Sequence, residues 1–149
     1  EAIGIVRAAT DAGVPVLVSF TVETDGRLPD GSALGDAIAA VDDATQEAAE
    51  GFMVNCAHPT HFDGVLGDLG RSRDRVIGVR ANASTQSHEE LDAAEELDDG
   101  DPGDLASRCV ALAENLPQLT ILGGCCGTDD RHIEAIAAAW RGRSAPAST

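Results

Sequence analysis

Gly123-Gly124-Cys125-Cys126-Gly127-Thr128 places two adjacent thiols among three glycines, after the apolar run Leu119 to Leu122 and ahead of an amphipathic stretch. Packing explains such a pair poorly; two thiolates aimed at one metal ion explain it better. Neighbours on a continuing strand point to opposite faces, so the strand must end before both sulfurs can reach one ion. The glycines supply the backbone freedom for that turn. A third thiol, Cys56, closes another short apolar run, Phe52 to Asn55. Three thiolates with an open fourth position describe a catalytic zinc site, because structural zinc takes four protein ligands. Cu(I) also suits thiolates; a [4Fe–4S] cluster with one open iron remains an alternative that adjacent cysteines fit poorly. A strongly donating sulfur set makes zinc a weak Lewis acid toward water. It suits a thiol ligand better, since a bound thiol loses its proton yet stays nucleophilic. The contrasting reading is a buried cysteine pair or a strained vicinal disulfide.

The elements that must position these thiols follow from periodicity. Ala2, Ile5, Val6 and Ala9 mark a helix stopped by Gly13, and Val14 to Phe20 reads as a buried strand. Val22 to Ser32 is a loop with Asp-Gly turns. Leu34, Ala37, Ile38, Val41 and Ala48 predict a second helix, followed by the strand Phe52 to Asn55. Phe62, Val65, Leu66 and Leu69 predict a third helix closed by Gly70; the strand Arg75 to Arg80 follows. Ala81 to Asp104 is long and acidic, with a capping box at Ser87-His88-Glu89-Glu90. A fourth helix carries Leu105, Cys109, Leu112 and Leu116 and stops at Pro117. After Leu119 to Leu122, Thr128 or Asp129 caps a last helix with Ile133, Ile136, Ala137 and Trp140 inward.

Apolar strands separated by helices mean an α/β fold with a parallel sheet, either a doubly wound open sheet or a (β/α)8 barrel. No Gly-rich dinucleotide fingerprint follows a strand. In both architectures the residues just past the strand C-termini build the site. Those residues are Ser19 and Thr21, Asn55 and Cys56, Asn82 and Ser84, and Cys125 and Cys126. Asn55 and Asn82, with Ser19 and Thr21, are candidates for hydrogen-bonding a substrate; the two asparagines read equally well as partners of a neighbouring loop. Cys109 reads as core, His58 and His61 as solvated loop residues, and His132 as a surface residue.

Composition sets the outer limits. The 149 residues carry 26 acidic and 10 basic side chains, all arginine, for a net charge of -16. That field argues against nucleic acid and anionic membrane surfaces as partners. It reads as a solvated acidic surface suited to salt-rich cytoplasm. No signal peptide and no apolar run of membrane-spanning length is present, so clustered cysteines point to metal or chemistry in a cytoplasmic setting rather than to disulfides. Glu1 stands where the pattern already reads as mid-helix, which predicts a C-terminal piece of something longer. Residues 144–149 read as a flexible tail to a domain spanning 1–143.

The same residues resemble the C-terminal half of the homocysteine S-methyltransferase family. The resemblance rests on Val18-Ser19-Phe20-Thr21 followed by Leu28-Pro29-Asp30-Gly31, on Asn55-Cys56, and on Asn82 after the third strand. Above all it rests on Gly123 to Thr128 with His132-Ile133. It implies a (β/α)8 barrel of which these four strands are the fifth to eighth, with the N-terminal half-barrel missing. It implies a Zn2+ held by Cys56, Cys125 and Cys126. The implied activity is transfer of a methyl group to the thiol of homocysteine, giving methionine. The donor would be S-adenosylmethionine, S-methylmethionine, a betaine, or a corrinoid or folate carrier. The alternative is a non-catalytic zinc-binding or redox half-barrel module.

Overall fold

The computed structural model describes residues 1–143; the segment read as a tail lies outside the described residues. The described residues form six α-helices and four strands, in the order α1 (Ala2–Asp11), β1 (Leu17–Thr21), α2 (Leu34–Thr45), β2 (Gly51–Ala57), α3 (Pro59–Phe62), β3 (Val76–Ala81), α4 (His88–Ala93), α5 (Pro102–Ala111), β4 (Ile121–Gly124) and α6 (Asp130–Gly142). The strands form one parallel sheet in the order β1-β2-β3-β4. The expected α/β class and parallel sheet are therefore present.

Alternation along the strands sorts the two faces of the sheet. Val18, Phe52, Val54, Val79 and Ala81 are buried under the helices, where Phe20 stacks on Phe52 at 6.0 Å between ring centroids. Phe62 is also fully buried; the rest of the core is mainly aliphatic, with Leu34, Ile38, Leu66, Leu105, Leu112, Leu116 and Ile136 on the helix side. The opposite face carries Leu17, Ser19, Thr21, Met53, Asn55, Arg80 and Ile121. No described helix covers it, and Leu17 and Ile121 are 40% and 37% exposed.

Several expectations need correction. The third helix is one α-turn, α3, followed by a 3-10 segment over Asp63–Arg75. Gly64, Gly67 and Gly70 fall in this segment and weaken the α form, and Gly70 breaks the helix at φ 54°, ψ -130°. The residues it buries, Leu66, Leu69 and Ser72, recur every third position, the period of the tighter helix. β1 starts at Leu17, not Val14, which is exposed; Pro15 has no N–H to give a ladder. α2 ends at Thr45 because Gln46 and Glu47 turn left-handed, leaving Ala48 exposed. Ile5 and Ile133, both expected inward, are exposed on α1 and α6, the first and last helices, which lack a neighbour on their outer flank.

All three histidines read as solvated are buried. His58 caps α3, its Nδ1 2.8 Å from Thr60 Oγ1. Burial, and then the nearby His61 ring, push its pKa down to about 4. His61 Nε2 donates to the Thr85 carbonyl at 2.9 Å. His132, fully buried, is discussed with the site below.

A largely buried ion pair crosses the helix layer, beside the exposed pair of Arg71 with Asp43. Arg75 donates Nε to Asp42 Oδ2 at 2.8 Å and Nη2 to Asp42 Oδ1 at 3.0 Å and to the Ala49 carbonyl at 2.6 Å. It clamps α2 to the root of β3. Asp42→Ala leaves the guanidinium half-desolvated and unpaired. Because Arg75 keeps some solvent contact, we expect a loss of about 2 kcal/mol, below the range for fully buried pairs. Chemical denaturation of the protein measures it; an unchanged midpoint would show that the clamp adds nothing.

Candidate metal centre

Cys56 reaches the site through an irregularity in β2. The register runs Asn55 to Arg80 and then Ala57 to Ala81, so Cys56 is an extra residue opposite β3, a β-bulge. A regular strand would turn Cys56 toward the helices with Val54. Instead its φ is +54°, left-handed for a residue with a Cβ. Bulge and reversed φ together swing the thiol to the strand end.

Cys125 and Cys126 arrive by a different route. β4 stops at Gly124, as both thiols require. Cys125 to Thr128 form a turn in which the Thr128 amide and hydroxyl both donate to the Cys125 carbonyl, at 3.1 and 2.7 Å. Gly127, third in the turn, has φ +77°, the position where such turns favour glycine. The Cys125 amide donates to the Ala81 carbonyl at 2.7 Å, and the Ala83 amide donates to the Cys126 carbonyl at 3.0 Å.

The three sulfurs lie within 4.8 Å of one another. Cys56 Sγ is 2.7 Å from Cys125 Sγ, and Cys125 Sγ is 4.0 Å from Cys126 Sγ; all four cysteines of the chain are free thiols. Sulfurs at ~2.3 Å from a tetrahedral zinc stand roughly 3.8 Å apart, so the second spacing fits and the first would open by about 1 Å. Proton affinities point the same way. Burial, and then the shared proton with Cys125, raise the Cys56 pKa to about 11. Burial also pulls Cys125 up, but hydrogen bonds from Cys56 and from Cys126, with the Arg80 charge, outweigh it and leave Cys125 lowered. Cys126 is raised, by burial and then by the negative charge on Cys125. The first proton therefore leaves Cys125, and burial, with like-charge repulsion adding, holds the other two. A cation is what lets all three ionise together, so the donor set fits a thiophilic metal. Cys109, by contrast, lies in the core with its pKa pushed up to about 12 by burial, and is inert.

Asn82 is buried and spans the two cysteine segments. Its Nδ2 donates to the Cys56 carbonyl at 3.0 Å, and its Oδ1 accepts the Cys126 amide at 3.2 Å. Asn55 lies beside the cluster, its Nδ2 3.3 Å from Cys56 Sγ. Thr21 pairs with Asn55 across the β1–β2 ladder, and Ser19 lies one step back on the same bare face, exposed. The group of potential ligands among the described residues contains the three cysteines and neither His58 nor His61.

Two site residues were not legible in the sequence. Arg80 donates Nε to the Gly124 carbonyl at 3.2 Å, on the turn that presents Cys125. His88 donates Nε2 to the Cys56 carbonyl at 2.6 Å, although its sequence context marks it only as a member of a capping box. Both contacts cross between elements, so no local pattern announces them.

Behind the cysteine turn the acidic segment is pinned rather than free. Ser84 donates to Asp98 Oδ2 at 2.6 Å, and Arg131 reaches Asp99 Oδ2 at 2.6 Å. His132, wholly buried, donates Nε2 to the Asp99 carbonyl at 2.8 Å, while its Nδ1 meets the Asp129 amide and carboxylate at 3.1 and 2.8 Å. The His132 contact, with Arg131 adding, holds the Asp129 carboxyl down at about 2. His132 thus joins α6 to the strap behind the turn, which corrects its reading as a surface residue. We expect His132→Ala to destabilise the protein, since it empties the space of a wholly buried imidazole and cuts the tie between α6 and the strap. Faster amide hydrogen exchange at residues 98–100 would mark the loosened strap; unchanged exchange there would refute the tie.

A family model described as homocysteine S-methyltransferase matches residues 1–140. Methionine synthase from Mycobacterium leprae (strain TN) is 35% identical over 140 residues, and that from Mycobacterium tuberculosis (strain ATCC 25618 / H37Rv) is 34% identical over 140 residues. In each case the match covers 92% of this chain and 11% of the relative, so the chain spans about a ninth of the curated relatives' length. No solved structure matches it.

Proposed function

We propose, because the chain belongs to the homocysteine S-methyltransferase family, that its thiol cluster is the zinc site of a methyl transfer to homocysteine, giving methionine. The observation that carries this reading is the meeting of Cys56, Cys125 and Cys126 within 4.8 Å at one end of the sheet. Their carriers, a bulge and a glycine turn, have no other evident purpose. When bound, zinc supplies the charge that keeps a fourth, substrate thiol deprotonated at neutral pH.

The chain's own residues do the placing. Asn82 and the turn hydrogen bonds fix the three sulfurs, and Asn55 sits beside them on the bare face. Ser19 and Thr21 extend that face toward β1 and are our candidates, with Asn55, for touching the substrate; Asn82, buried and with both ends of its amide bound to the cysteine segments, positions the thiols instead. The substrate sulfur forms the new S–CH3 bond while the donor–CH3 bond breaks, its electron pair leaving with the donor. The donor is S-adenosylmethionine, S-methylmethionine, a betaine, or a corrinoid or folate carrier.

We read residues 1–143 as half of a (β/α)8 barrel, strands five to eight. Sequential strand order, helices on one face and a bare apolar and polar inner face support this. A doubly wound sheet would reverse its order and carry helices on both faces. The partner surface is then a preceding half-barrel, which would pair with the free edges of β1 and β4 and fill the interior. Three reduced thiols suit a cytoplasmic setting, and no described helix is long and apolar enough to cross a membrane.

The test is metal analysis of the full-length protein purified under reducing conditions, paired with a methyl-transfer assay. About one zinc per site, loss of transfer on chelation and recovery with added zinc are expected. Stoichiometric zinc without transfer to homocysteine would favour the non-catalytic module instead.

A further inference from the structure

The most unusual backbone at the site belongs to Cys56. A side-chain-bearing residue at φ +54° is strained and persists only where its surroundings over-determine it. The bulge takes Cys56 out of the regular β2–β3 pairing. Two side chains meet at its carbonyl oxygen: Asn82 Nδ2 at 3.0 Å and His88 Nε2 at 2.6 Å. They come from different elements, the loop after β3 and the first residue of α4.

We propose that His88 is a positioning residue that, with Asn82, holds Cys56 in its left-handed conformation and so keeps the Cys56 sulfur on the metal. This rests on the three-thiolate zinc reading above. His88 is itself oriented from behind, since Glu23 Oε2, on the loop after β1, lies 3.3 Å from its Nδ1. A line of contacts therefore runs from β1's loop through the imidazole to the Cys56 carbonyl.

α4 shows what this contact is for. The helix buries no residue, and its N-terminus is satisfied within itself by the Ser87–Glu90 capping box. Hydrophobic packing gives α4 little reason to sit where it does. His88 bridges it to the cysteine site, and losing that imidazole removes no core volume. A residue serving fold stability would behave oppositely: its loss would lower the unfolding midpoint and leave the metal alone.

Co2+ is the probe, because thiolate-to-cobalt charge-transfer bands report sulfur ligation directly. The full-length protein and its His88→Ala and His88→Gln variants are titrated with Co2+ against a competing chelator, and the unfolding of each metal-free form is measured. His88→Ala should bind Co2+ 10–100-fold more weakly, as expected when a residue supporting a ligand is lost. Its charge-transfer band should change while its metal-free unfolding midpoint stays put. His88→Gln, which returns an N–H donor, should recover most of the affinity. Unchanged affinity and spectrum in His88→Ala would overturn the proposal. So would failure of His88→Gln to recover, which would show that the hydrogen bond is not what matters. Absence of the charge-transfer band in the unaltered protein would overturn the three-thiolate reading itself, a failure distinguishable because it needs no variant.

Discussion

On the zinc site proposed above, Cys125→Ser in the full-length protein is expected to abolish metal binding and, with it, the proposed methyl transfer. Cys125 is the thiol in contact with both others, at 2.7 Å from Cys56 and 4.0 Å from Cys126. It is also the one whose pKa is lowered, so it supplies the first negative charge to a cation. A serine hydroxyl at that point is a poor donor to zinc and stays protonated at neutral pH. Losing a residue that merely supports a ligand weakens metal binding 10–100-fold; removal of the ligand should exceed about 100-fold. Zinc content after dialysis reads the effect, and far-UV circular dichroism separates it from misfolding. Half-buried as it is, Cys125 leaves little cavity when its sulfur becomes oxygen, so the fold should survive. Cys126→Ser should follow in the same direction. Full zinc retention in both variants would sink the three-thiolate site.

Gly127→Val should be nearly as damaging without touching a ligand. At φ +77° a β-branched residue is strongly disfavoured. A Cβ there would also stand 2.5 Å from the Asp98 carbonyl oxygen and 3.0 Å from the Ala83 methyl. Both neighbours are held: Asp98 by Ser84, and Ala83 by its own hydrogen bond to Cys126. The turn must therefore move, and Cys126 moves with it. We expect a stability loss of about 3 kcal/mol or more from the combined strain and clash. Metal affinity should fall more than tenfold, because the thiol pair is displaced. Gly127→Ala should show the same signs at smaller size. A valine variant with unaltered zinc affinity would mean that the turn's geometry does not govern the site.

The element order, the parallel sheet and the three thiols were legible in the sequence. Periodicities of 2 and 3.6 mark elements buried on one side, and the glycines around Cys125 and Cys126 mark a strand that must end. Capping at Ser87 was legible for the same reason, since caps depend on residues three apart, whereas the sequence left the last cap between Thr128 and Asp129 and the structure chose Asp129. Boundaries were less so. Glycines spaced three apart converted the third helix to 3-10 geometry while Leu66 and Leu69 stayed inward, so the apolar pattern could not tell the two helices apart. Ile5 and Ile133 carried the right period but lie on the first and last helices, whose outer neighbours no periodicity can supply.

Histidines marked the real limit. His58, His61 and His132 are polar residues in polar stretches, and their burial depends on partners at Thr60, Thr85 and Asp99. His88 reaches the Cys56 carbonyl across 32 positions of chain, and Asn82 ties together two segments far apart in sequence. Residue types and local spacing, which are properties of the chain alone, were enough to say that three sulfurs could gather at strand ends. Only the tertiary structure decided how Cys56 gets there, through a bulge and a left-handed backbone secured by two distant side chains. Such a strained conformation has no local cause: it exists because contacts from elsewhere in the fold outweigh its cost.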